Sequence, residues 1–312
     1  MSKKEPTPPR LPLSPLYWPA WLGLGLLRLL LLLPYPLLVA MGRTLGRGLY
    51  YLAWRWRLFT YANLRRCFPE KSRSEHRRLA KAHFQSVGVG IFELGLGWWA
   101  SDRRLRRLVE VRGLEHLEAA KAQGRGVLIM SAHFTSFEIG GRLLGLFTPF
   151  HLMYRPNKNP VLEYVVHRSR RRHFDGVIPS DSIRQLMRRL KEGHCVWYAP
   201  DLAYTRGNHA MIPFFGLAAP TNTATARIAK ATGSPVVPFY PERLPGARGY
   251  RLHLLPALED FPGDDPVADT ERTTAILEEQ IRQMPEQYFW SFDRFKTKLH
   301  KRWRKARYLG GR

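Results

Sequence analysis

Two hydrophobic periods divide this chain. Short apolar runs that read as buried strands recur at 126–132 (GVLIMSA), 149–154 (PFHLMY), 195–200 (CVWYAP), 235–240 (PVVPFY) and 250–256 (YRLHLLP). Between them, stretches near 137–147, 159–174, 181–192 and 221–232 carry helical spacing, and a last one lies near 266–284. Strands alternating with helices predict an α/β fold with a mixed, mainly parallel sheet flanked by helices. RLPGARGY, 243–250, reads instead as a hairpin turn between two neighbouring strands. There is no internal repeat, no G-x-G-x-x-G and no P-loop pattern, so nucleotide binding has no support.

The N-terminal third has a different texture. Residues 16–42 are almost wholly apolar, with one charge, Arg28, and rings at Tyr17, Trp18, Trp21 and Tyr35. That length approaches what a bilayer core of roughly 30 Å requires, and aromatic rings favour the headgroup layer. No small-residue cleavage site follows, as a secretory signal would need. The expectation is an N-terminal membrane-anchoring helix in 1–42, followed by one catalytic domain in 43–312. Arg28 and the Pro34/Pro36 pair leave a tilted or monotopic segment open, and a buried core helix is the plainer alternative. Lys3, Lys4 and Arg10 precede the segment, whereas Arg43, Arg47, Arg55, Arg57, Arg65 and Arg66 follow it, which puts the domain on the cytoplasmic side. The aromatic, basic stretch 43–66 suits either an interfacial helix or an amphipathic helix packed on the domain.

Charge narrows the partners. Fifty Lys and Arg against 25 Asp and Glu leave +25 over 312 residues, so a large anionic partner is expected: nucleic acid, anionic lipid or an acidic carrier protein. Cys67 and Cys195 are the two cysteines, too few for a disulfide framework and outside any metal-ligand cluster.

The candidate chemistry sits where the first strong strand ends. GVLIMSA runs directly into His133, and Glu138 follows five residues later, just inside a helix. On a continuous helix the two would lie about 140° apart, but a strand-to-helix turn between them would let the carboxylate reach the imidazole. Ligands gather at the carboxyl ends of strands in such sheets. A carboxylate on one ring nitrogen leaves the other free to take a proton from an alcohol, and the helix N-terminus could offer N–H groups to an oxyanion. Without a G-x-S-x-G nucleophile, direct transfer to a substrate hydroxyl is favoured over a covalent acyl-enzyme. The competing account of TSFE is a capping box, Thr135 with Glu138.

These residues resemble the late acyltransferases of lipid A biosynthesis, the Kdo-lipid IV-A lauroyl/myristoyl transferases, within the broader H-x-x-x-x-D/E acyltransferases. The resemblance runs through CFPE (67–70), FQSVGVGIFE (84–93), HFTSFEIGGR (133–142), YRPNKNP (154–160), VWYAPD (196–201), PFFG (213–216), ATGSPVVPF (231–239), PEQYFW (285–290) and RFKTK (294–298). It implies a bacterial inner-membrane enzyme that moves a fatty acyl chain, lauroyl or similar, from acyl carrier protein to a hydroxyl on a phosphorylated, Kdo-bearing lipid A precursor, with no cofactor. Carried over by position, His133 is the general base and Glu138 its orienting partner, with Arg155, Arg170 and Asp201 as binding or supporting residues. The chain departs from the family pattern at Ala203, where a second acid is common, at Phe292 and Asp293, and in reading Ser-Phe-Glu before the helix.

Two other readings are weaker. A lysophospholipid or ornithine-lipid acyltransferase would share the chemistry, but the glutamate and the flanking blocks argue against it. A basic membrane-anchored nucleic-acid-binding protein would need a recognition motif, and none is visible. The basic, aromatic segment 300–308 suits lipid headgroups, the carrier protein, or solvent.

Overall fold

A computed structural model describes residues 11–205 and 207–296. The basic segment 300–308 and the flanking Lys3, Lys4 and Arg10 lie outside the described residues. Helices α1 (Trp18–Leu30), α2 (Tyr35–Leu52), α3 (Trp54–Cys67), α4 (Arg73–Trp99) and α5 (Asp102–Arg106) come first. The sheet region follows as β1 (Val109–Arg112), α6 (Leu114–Lys121), β2 (Leu128–Met130), α7 (Phe137–Leu144), β3 (His151–Tyr154), α8 (Pro160–His173), β4 (Gly176–Pro179), α9 (Ile183–Lys191) and β5 (Val196–Tyr198). A hairpin, β6 (His209–Phe214) and β7 (Leu217–Asn222), precedes α10 (Ala224–Thr232), β8 (Val236–Arg243), β9 (Tyr250–Leu254) and α11 (Pro266–Gln283).

Seven strands form one sheet in the order β1-β9-β8-β2-β5-β3-β4. The pairs β8/β2, β2/β5, β5/β3 and β3/β4 are parallel, and β9 runs antiparallel to β8 across the turn expected at 243–250. The sheet is therefore mixed and mainly parallel. β2 and β5 are buried along their whole length, as central strands covered on both faces must be. The edge strands β1 and β4 and the β6/β7 hairpin were not legible as apolar runs, because β1 alternates Val and charge and β6 and β7 each carry a proline and polar residues.

The N-terminal segment does not form a single anchor helix. It breaks after Leu30, and α2 restarts at Tyr35 with Pro34 as its N-cap, since proline cannot donate the helical N–H. Arg104 donates to the freed carbonyls of Leu31 and Leu33, the latter at 2.7 Å, and so pins the break to the domain. Among the described residues, no helix is long and apolar enough to cross a membrane. The boundary expected at residue 42 falls inside α2, which packs along α4. A Cβ on Gly46 would run into the Phe84 carbonyl, and one on Gly42 into the Val89 backbone; small residues allow such backbone-to-backbone approach. α4, opened by a complete Ser72/Glu75 capping box, is thus sandwiched between the N-terminal helices and the sheet domain.

Many apolar side chains of this N-terminal region stay exposed. Trp18, Leu22, Leu26, Leu29, Leu32 and Leu37 are exposed, as are Tyr51, Leu52, Trp54 and Trp56 further on. The inner side is packed: Tyr50, Thr60, Asn63 and Leu64 are buried. The side of 43–66 that faces the domain is therefore packed, as an amphipathic helix lying on the domain requires.

Candidate active site

The register of two adjacent strands assembles the site. Met130 on β2 pairs with Tyr198 on β5, and three residues beyond each stand His133 and Asp201. Parallel strands carry equal offsets to the same end of the sheet, so the two side chains meet there. The Nδ1–H of His133 donates to Oδ1 of Asp201 at 2.6 Å, and the His133 backbone N–H donates to Oδ2 at 3.0 Å. A carboxylate only accepts, which places the ring proton on Nδ1 and leaves Nε2 as the basic nitrogen. The hydroxyl of Tyr288 donates to Oδ2 at 3.2 Å.

Electrostatics follow from this contact. Burial alone would lower the His133 pKa, but the Asp201 charge and hydrogen bond outweigh it and raise the value above that of an ordinary imidazole. Burial would raise the pKa of Asp201; His133 and then Arg294 hold the carboxyl below its usual range. The imidazole is 29% exposed and the aspartate 2%, so the ring can be reached and its partner cannot. Phe137 stacks on the imidazole at 5.0 Å and Phe292 meets it edge-on at 6.3 Å.

Glu138 does not orient the imidazole. Its carboxylate is held by Arg170, from Nη2 at 2.8 and 3.1 Å and from Nε at 3.3 Å. The capping box is absent as well: the N-cap of α7 is Ser136, whose hydroxyl donates to the Pro241 carbonyl, while Thr135 bonds Ser86. The physical reason is direction. Asp201 comes straight off the neighbouring strand, whereas α7 carries Glu138 toward α8, where Arg170 lies 4.5 Å over the Tyr154 ring. The helix N-terminus is also less open to an oxyanion than expected, because the Thr135 N–H donates to Gln287 and the Phe137 N–H to Phe134. Arg155 stands just past β3, exposed, with no hydrogen bond to the other four residues.

Residues 287–289 lie alongside the histidine loop. Thr135 N–H donates to the Gln287 carbonyl at 2.7 Å and Phe289 N–H to the His133 carbonyl at 3.0 Å, around a Phe134–Tyr288 bridge. Behind the loop sits a buried ion pair. Arg243 donates from Nε and Nη2 to Glu93 and from Nη1 to Ser86 at 2.7 Å, and the Tyr250 hydroxyl joins Glu93 at 2.8 Å. Gln287 closes the circuit on the Arg243 backbone at both N–H and carbonyl. Tyr288, Gln287, Glu93 and Arg243 were not singled out from the sequence. Glu93 falls in the block FQSVGVGIFE, Gln287 and Tyr288 in PEQYFW, and Arg243 opens the turn RLPGARGY, but no local motif gives them a role.

Residues 9–297 match the family model described as bacterial lipid A biosynthesis acyltransferase. The chain belongs to that family. It is 37% identical to the lipid A biosynthesis lauroyltransferase of Escherichia coli K12 over 92% of this chain and 94% of the relative. Identity to the lipid A biosynthesis palmitoleoyltransferase of the same organism is 36% over the same shares. The lipid A biosynthesis myristoyltransferase is further away, at 25% over 91% of this chain and 88% of the relative. The chain is accordingly an acyltransferase.

Proposed function

We propose that this enzyme transfers a fatty acyl chain from acyl carrier protein to a hydroxyl of a hydroxyacyl chain on a phosphorylated lipid A precursor, with no covalent acyl-enzyme. The observation that carries the mechanism is the 2.6 Å bond from His133 to Asp201, which leaves Nε2 free at the carboxyl end of the sheet. Nε2 takes the proton of the acceptor hydroxyl as its oxygen bonds to the acyl carbon. The thioester C–S bond then breaks, and the imidazolium returns the proton to the departing thiolate. Asp201 holds the tautomer and offsets the transient positive charge. Glu138 holds Arg170, whose Nη1 has no hydrogen-bond partner among the described residues and can donate to the developing oxyanion. Arg155, exposed beyond β3, is free to meet an anionic group of either substrate.

The net charge of +25 suits both an acidic carrier protein and a phosphorylated lipid. The exposed leucines of α1 and α2 favour a protein lying on the cytoplasmic leaflet of the inner membrane with these side chains in the acyl boundary. The test is acyl transfer from loaded carrier protein to a purified tetra-acylated lipid A precursor, comparing wild type with His133→Ala and Asp201→Asn. Product from wild type and its loss in both variants is the expected result; undiminished transfer by His133→Ala would remove the proposed base.

A further inference from the structure

A concavity on α8 shares none of its lining residues with His133, Asp201, Glu138 or Arg170. It encloses about 450 Å³ between α1, the end of α4 and α8. Tyr164, Arg168 and Arg172 form one stripe of α8 at four-residue spacing, the interval that stacks side chains on one helix face. Trp21 and Arg28 enter from α1, and Trp99 from the end of α4. Trp21 meets Tyr164 edge-on at 6.0 Å, and the Arg28 guanidinium lies 5.9 Å from the Trp99 ring.

The chemistry of this lining is one-sided. Three arginines converge on one cavity whose walls contain no carboxylate. None of the three is in an ion pair among the described residues. Arg170, two residues on from Arg168 and turned to another side of α8, is by contrast paired with Glu138. Unneutralised guanidinium groups crowded together repel one another, and an anion relieves this, phosphate most directly because its oxygens match the planar fork. The flat faces of Trp21, Trp99 and Tyr164 suit the C–H faces of a sugar ring. The same α1 that lines the cavity presents Leu22, Leu26 and Leu29 outward, so a ligand anchored in a bilayer can reach it.

We propose that this cavity binds the phosphorylated sugar headgroup of the acceptor lipid, with Arg28, Arg168 and Arg172 on phosphate and the aromatic rings on the saccharide. The inference rests on the acceptor being a lipid A precursor. A carrier-protein helix is the poorer occupant, since a recess walled by aromatic rings admits a saccharide more readily than a protein surface. α8 would then couple two tasks, holding Glu138 through Arg170 on one side and the headgroup on another.

The experiment is equilibrium binding to the full chain in neutral detergent, independent of turnover. The probes are a tetra-acylated disaccharide lipid A precursor carrying its phosphates, the same lipid after phosphatase treatment, inorganic phosphate, and acyl carrier protein. Arg168→Ala/Arg172→Ala is compared with wild type, and an unchanged melting temperature shows that these exposed positions leave the fold intact. The double variant should weaken the phosphorylated lipid about tenfold or more, as expected for lost charge-assisted hydrogen bonds, and leave the dephosphorylated lipid unchanged. Equal weakening of both lipids, or of neither, would overturn the proposal. So would a selective loss of carrier-protein binding, or inorganic phosphate binding as tightly as the lipid, which would mark a simple ion site. Phosphate-dependent binding without transfer by wild type would remove the acyl-transfer reading and leave the headgroup site standing.

Discussion

Arg170 grips both carboxylate oxygens of Glu138 while the imidazole of His133 turns away to Asp201. Two partnerships therefore coexist at the end of the sheet, and the histidine's is with Asp201 rather than with Glu138, the partner expected from the sequence. One sets a proton's position, and the other sets a guanidinium's.

The two acids should differ in their effect on the pH profile. The acid limb of kcat/KM reports the free enzyme's base. Because Asp201 raises the His133 pKa, the wild-type limb should lie above the ordinary imidazole value of about 6.5. Below it the base is protonated and inactive. In Asp201→Asn burial is no longer opposed, so the limb should move to lower pH while the maximal rate falls about a hundredfold or more. Glu138→Gln should lower the rate with the limb left in place. A limb that follows Glu138 instead would return that residue to the imidazole.

Arg170→Lys keeps the charge and loses the fork. Lysine cannot span both oxygens of Glu138, so kcat should fall about tenfold or more with the melting temperature little changed. Steady-state kinetics on the folded variant check this; wild-type turnover would mean that charge alone suffices there.

The Glu93–Arg243 pair governs stability first. Both side chains are buried, and Glu93 holds the Arg243 guanidinium above its ordinary pKa against the opposing effect of burial. Glu93→Gln strands a buried cation and should cost about 3–5 kcal/mol in urea unfolding. Replacing both, as Glu93→Leu/Arg243→Met, should be milder than the single change. Additive losses would show that the ion pair is not the unit. Because Arg243 is tied through Gln287 to Thr135, the single variant should also lose turnover at temperatures where it remains folded.

The outer leucines should matter for the membrane and not for folding. Leu22→Gln/Leu26→Gln/Leu29→Gln removes apolar area that would otherwise enter the acyl boundary, at up to about 1.5–3 kcal/mol per leucine. Partitioning onto anionic vesicles should drop at least about a hundredfold, with an unchanged thermal transition in detergent. Unaltered sedimentation with vesicles would place the membrane contact elsewhere.

Local pattern was enough for much of the molecule. The central strands β2, β5 and β8 are legible because strands buried on both faces must be continuously apolar, and the helices between them because one side of each must stay wet. His133 was legible as a strand-end residue, and the blocks along the chain carried the resemblance to its family. Three things were decided only by tertiary structure. Asp201 reaches His133 because β5 lies next to β2 in a register that no pattern over 126–138 contains. Arg170 claims Glu138 because α8 packs back across the sheet. The apolar N-terminus folds into two helices rather than one span because Pro34 breaks it, Arg104 caps the break, and Gly42 and Gly46 let α2 lie against α4. Hydropathy counts apolar residues; it does not say whether protein or lipid will cover them.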